Sequence, residues 1–109
     1  MEMKMNVMER IIALGLLPKE GNFASLKSLR VAKETLSLTP EEVEEFKFKI
    51  DENGDAHWNQ LGREERPINL EEFAIEAVKS KLKEMDEDSK LEEMHVSLYE
   101  KFVEKKKGG

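Results

Sequence analysis

Phe46-Lys-Phe-Lys-Ile-Asp-Glu-Asn-Gly-Asp-Ala-His-Trp58 alternates apolar and polar side chains around an Asn53-Gly54 step. A period of two on either side of Asn-Gly signals a β-hairpin. The segments flanking it carry apolar residues at helical spacing instead. Together they predict an α+β domain, with about five helices around a central two- or three-stranded antiparallel sheet built on a hairpin at 46–60. The register follows from side-chain facing. A two-residue Asn53-Gly54 loop would pair Lys49 with Trp58 and scatter the large apolar residues over both faces. A three-residue loop, Glu52-Asn53-Gly54 with Gly54 left-handed, pairs Phe48 with Trp58 and Ile50 with Ala56. The second register gathers one apolar face to bury and turns Lys47, Lys49 and His57 outward.

On the N-terminal side, Asn6 and Glu9 form a capping-box start, with Val7, Met8, Ile11, Ile12 and Leu14 following at helical spacing. Gly15 suits the left-handed end of that helix, and Pro18 blocks its continuation. Asn22 caps a second helix, on which Phe23, Leu26, Leu29, Ala32 and Leu36 fall on one stripe expected to be buried. Thr39-Pro-Glu-Glu42 starts a short third helix: a Thr cap, Pro in the first turn, then acids that complement the helix dipole.

Beyond the hairpin, Gly62 to Arg66 reads as a loop and Pro67-Ile-Asn69 as an edge strand that would extend the hairpin sheet. Asn69 with Glu72 marks a fourth helix carrying Leu70, Phe73, Ala74, Ala77, Val78, Leu82 and Met85. Asp86-Glu-Asp88 ends it. Ser89 with Glu92 then starts a last helix with Leu91, Met94, Leu98, Tyr99 and Phe102 on its stripe. Residues 1–5, with Met1, Met3 and Met5, and residues 105–109 read as frayed ends of a single domain spanning 1–109.

Composition narrows the function. A chain of 109 residues buries enough surface for a core without staples. With no cysteine, disulfides, thiolate metal sites and cysteine nucleophiles are excluded. The absence of cysteine and of a secretory signal fits a cytoplasmic protein. Its longest apolar run, Ile11 to Leu17, is well short of the roughly 20 residues a membrane helix needs. A net charge of −6 opposes general attraction to nucleic acid. One glutamine among many Glu and Lys is a composition found in thermophilic hosts.

No motif carries recognisable catalysis, and no cofactor or metal is expected. Asp51-Glu-Asn-Gly-Asp55 has oxygen ligands at alternate positions, but a calcium loop needs Gly where Ala56 stands and Glu where Gly62 stands. The turn accounts for those residues without a metal. His57 and His95 are isolated imidazoles, His95 at the margin of the last stripe. The acids lie on solvated faces and show no pairing across a cleft, and phosphate loops and nucleophile elbows are missing. Of the methionines, Met85 and Met94 fit core stripes, which argues against a methionine-rich binding surface.

Two binding readings remain. The order helix, helix, short helix, hairpin is that of a winged-helix domain, in which the helix before the wing enters the major groove. That helix would be Pro40–Glu45, with four carboxylates and no cation, a poor match to DNA. The cations that would touch phosphates are Lys19, Lys27, Arg30 and Lys33. The other reading is a non-enzymatic protein-interaction module.

Three segments add a resemblance: Leu14-Gly-Leu-Leu-Pro-Lys-Glu-Gly-Asn-Phe23 leading into Leu26-Lys-Ser-Leu-Arg30, the hairpin ending at Trp58-Asn59, and Leu98-Tyr-Glu-Lys-Phe-Val103. In order and spacing the chain resembles small uncharacterised accessory proteins of bacteriophages and prophages. The resemblance implies a phage or prophage accessory role with a host or phage protein as partner, and it brings no catalytic residue.

Overall fold

The computed structural model describes residues 2–104; the tail at 105–109 lies outside them. The elements run β1 (Glu2–Met5), α1 (Val7–Leu16), α2 (Phe23–Leu36), α3 (Pro40–Phe46), β2 (Lys49–Ile50), β3 (Ala56–His57), β4 (Arg66–Asn69) and α4 (Glu72–Glu87). A C-terminal segment follows, passing from a 3-10 turn (Glu93–His95) through a single α-turn, α5 (Val96–Tyr99), into a π-turn (Glu100–Glu104). The α+β class holds. Among the described residues the regular helices are four, however, because the last one is broken into three kinds of turn.

Local chemistry places α1 to α3. Asn6 accepts from the Glu9 amide while the Glu9 carboxylate accepts from the Asn6 amide, a reciprocal capping box. Asn22 accepts from Ser25 at the head of α2. Thr39 and Glu42 repeat the box at α3, with Pro40 just inside it. Lys47, in the left-handed region at φ 54°, ends α3 and releases the chain into the hairpin.

The hairpin takes the three-residue loop. Lys49 faces His57, Ile50 faces Ala56, and Gly54 stands at φ +85°. Phe48 stacks on Trp58 with ring centroids 6.3 Å apart. Its place in the fold differs from expectation. It is a two-strand ribbon at the periphery, with Ile50 56% exposed.

The central sheet is a separate antiparallel pair, β1 with β4, in which Met3 faces Ile68 and Met5 faces Arg66. Residues 2–5 are therefore not frayed, and Pro67-Ile-Asn69 pairs with them rather than with the hairpin. The reason is hydrophobic: this pairing carries Met5 and Ile68 into the core with Leu29, Leu36, Val78, Leu82, Leu98 and Phe102. Strands of two residues at the hairpin could not supply that area.

Details of three helices also differ from expectation. On α2 only Leu29, Ala32 and Leu36 are buried, whereas Phe23 is 78% exposed and Leu26 points outward as well. Asn69 belongs to β4, so Glu71 stands at the N-cap of α4 without a side-chain bond. Ser89 takes a positive φ just after α4, and Glu92 and His95 form the box that starts the final turns. Met94 consequently lies at the surface.

Candidate functional site

Among the described residues three side chains that can carry charge are buried: Glu9, Arg10 and His95. Each serves the fold. The Arg10 guanidinium donates to the Leu36 carbonyl at 3.1 Å and the Ser37 carbonyl at 2.8 Å, and both outer nitrogens reach Glu42 at 3.0 Å. It thus closes the open carbonyl end of α2 and ties it to the head of α3. Arg10 in turn holds the Glu42 carboxyl below its ordinary range.

Glu9 is braced in the same way. Burial would raise its carboxyl, but the hydrogen bond and charge of Lys101, with hydrogen bonds from Ser97 and the Asn6 amide, together outweigh that and hold it low. Burial would likewise depress the Lys101 ammonium, yet Glu65 and Glu9 together hold it above its usual value. Lys101 also donates to the Lys4 carbonyl at 2.7 Å, fastening the C-terminal segment to β1. His95 accepts the Glu92 amide on Nδ1, which places its proton on Nε2. Among the described residues no buried side-chain nitrogen or oxygen lacks a partner.

At the hairpin, one Asp51 oxygen accepts from the Asn53 and Asp55 amides and the other meets His57 at 2.7 Å. Both oxygens serve the turn, and His57 holds the Asp51 carboxyl low. Nearby, Arg66 grips Glu45 through two bonds of 2.8 and 2.6 Å and covers the Phe46 ring at 4.6 Å. Glu42 and Glu45, half of the α3 acids, are therefore engaged by arginines, Glu42 half-buried and Glu45 at the surface.

The cations singled out in the sequence, Lys27, Arg30 and Lys33, lie together on the outer face of α2, all exposed and in no ion pair among the described residues. Phe23, Lys27 and Arg30 stand at i, i+4 and i+7, a single stripe, and Lys27 lies 5.6 Å over the Phe23 ring. Lys19 is apart from them, in the turn after α1, on the rim of an open depression of about 710 Å³ beside α4.

A second surface was not foreseen. A groove of about 520 Å³ runs between the head of α1, the turn after the hairpin and the C-terminal segment. Its apolar lining is Met8, Trp58, Met94 and Val96, three of which are about half exposed. Gly62 packs beneath Trp58 so closely that a side chain there would run into the indole Cδ1. The Trp58 indole N–H has no partner among the described residues. Glu93 and Glu100 on the rim are in no ion pair there and outnumber Arg63. Sequence reading missed this groove because its residues come from three segments at least thirty positions apart; the one local signal was the small residue in Asn59-Gln-Leu-Gly62.

Among the described residues no cluster of acids and histidines could hold a metal, and no helix is long and apolar enough to cross a membrane. Comparison with protein-family models, curated proteins and solved structures yields no match to this chain.

Proposed function

We propose that this chain is a non-enzymatic protein-interaction module that receives a basic, apolar segment of a protein partner in the Trp58 groove. The observation that carries the reading is the composition of that groove. An aromatic side chain with a free donor sits between two surface methionines, and the rim holds two unpaired carboxylates. Tryptophan anchors dominate protein interfaces, methionine adapts to varied apolar shapes, and rim carboxylates select lysine and arginine. The buried ionisable groups favour the same reading, since each is engaged in holding the fold. Within the phage or prophage resemblance, the partner is a host or phage protein carrying such a segment.

Trp58 is the only tryptophan in the chain, so its fluorescence reports this groove alone. Peptides pairing an apolar residue with Lys and Arg are expected to shift its emission, whereas acidic peptides of the same apolar content leave it unchanged. Reversing the rim with Glu93→Lys and Glu100→Lys should weaken the basic peptides by about tenfold. The competing outcome is a winged-helix nucleic-acid binder. Nanomolar affinity for duplex DNA at about 150 mM salt, lost on reversing Lys27, Arg30 and Lys33, would establish that reading and overturn this one.

A further inference from the structure

The outer face of α2 has the chemistry that the groove calls for. It presents Phe23, 78% exposed, and Leu26 alongside Lys27, Arg30 and Lys33, with Glu34 the one acid on the same face. We infer that the chain associates with itself, the outer face of α2 in one copy seating in the Trp58 groove of another.

The inference rests on the groove being a docking site and adds the identity of an occupant. Two observations single out a second copy. The first is complementarity: the groove rim carries Glu93 and Glu100 in no ion pair, and α2 carries cations in no ion pair beside a solvent-exposed aromatic ring, with Lys27 over it. In a chain of net charge −6, two copies repel on average. A patch of uncompensated cations is therefore the place where another copy's acids can approach.

The second observation is placement. Arg10, in the first turns of α1, binds the carbonyls at the C-terminal end of α2, so Phe23 lies at the far end of α2 from that junction. The groove lies beside Met8 at the head of α1. The head of α2 and the groove therefore occupy opposite ends of the molecule, and a chain cannot fill its own groove with its own Phe23. The contact is between unlike surfaces. It closes as a reciprocal pair or continues as a chain of copies, according to the rotation between them.

Charge-swapped chains test this directly. One variant carries Lys27→Glu and Arg30→Glu, leaving an acidic helix face. The other carries Glu93→Lys and Glu100→Lys, leaving a basic groove. All four residues are exposed, so both variants keep the core. By sedimentation, the wild-type chain is expected to rise above 12.6 kDa as concentration approaches about 1 mM, and less so as salt is added. Each variant alone remains at monomer mass, since like charges then face each other. An equimolar mixture regains the wild-type behaviour, because each contact in it joins opposite charges.

A wild-type chain that stays monomeric throughout overturns the inference, as does a mixture that stays monomeric while the wild type associates. Peptide titration of Trp58 keeps the two readings apart. A monomeric chain whose emission still responds to basic peptides loses only the self-association. A chain unresponsive to them loses the groove as well.

Discussion

Replacing Arg10 by methionine keeps an unbranched apolar stem and deletes four hydrogen bonds. The costs differ by acceptor. Ser37 is exposed, so water takes over its carbonyl at little expense. Leu36 is fully buried, and its carbonyl would be left short of a donor, a loss of about 1–3 kcal/mol. Glu42, with its side chain 16% exposed, would be left as a largely buried charge. Breaking a buried pair costs about 3–5 kcal/mol, here reduced by water and by Arg66 at 4.0 Å.

The sum points to a loss of about 3–5 kcal/mol, a large part of the roughly 5–15 kcal/mol that holds such a domain together. Urea unfolding followed by circular dichroism reads it, and the thermal midpoint should fall by at least about 10 °C. Arg10→Met combined with Glu42→Gln should cost less than the two single changes added, by about 1–3 kcal/mol, because the amide leaves no stranded charge. A loss below about 1 kcal/mol for Arg10→Met, or strict additivity, would refute the reasoning by showing that this junction is hydrated.

Gly62→Ala sets a methyl against Trp58 and Val7; a loss of about 1–3 kcal/mol is expected with a shift in tryptophan emission, and unchanged emission would contradict the packing. Gly54→Val strains a backbone held at φ +85° and should cost about 1–2 kcal/mol in urea, a neutral outcome excluding the left-handed loop. The carboxyls of Glu9 and Glu42 lie below their ordinary 4.5 in the folded chain, so their stabilisation is complete above that value and is lost as pH falls through the lowered folded values. Unfolding free energy measured against pH should decline there, and Glu42→Gln should flatten the decline. Lys101 runs the other way, its contribution complete below 10.5 and lost as pH rises through its raised folded value.

Features decided within a few residues were legible in the sequence. Asn6 with Glu9, Asn22, and Thr39 with Pro40 and Glu42 each fix a helix start by contacts spanning three positions. Gly54 selects the hairpin register in the same way. What escaped was decided by distant partners. Met3 and Met5 look like a ragged start until Ile68 and Arg66 are placed beside them. Asn69 is a plausible cap until the same pairing claims it as strand. On α2 Phe23 and Leu26 face solvent along with the cations, because periodicity cannot tell a core stripe from an exposed apolar edge. The groove lining is drawn from the head of α1, the turn after the hairpin and the C-terminal segment, so no window along the chain contains it.

The pairing of residues 2–5 with 66–69 also governs when this protein can become itself. During synthesis α1, α2 and the hairpin emerge first, but the first strand has no mate until β4 has left the ribosome. Lys101 must then arrive to seize the carbonyl of Lys4, 97 positions earlier, and the carboxylate of Glu9. A nascent chain halted before β4 carries an unpaired strand edge, and one halted between β4 and Lys101 leaves Glu9 without its cation, both invitations to aggregate or to be degraded. Contacts of such long reach slow folding, so β1 and Glu9 are settled only once residues 66–101 are available to meet them.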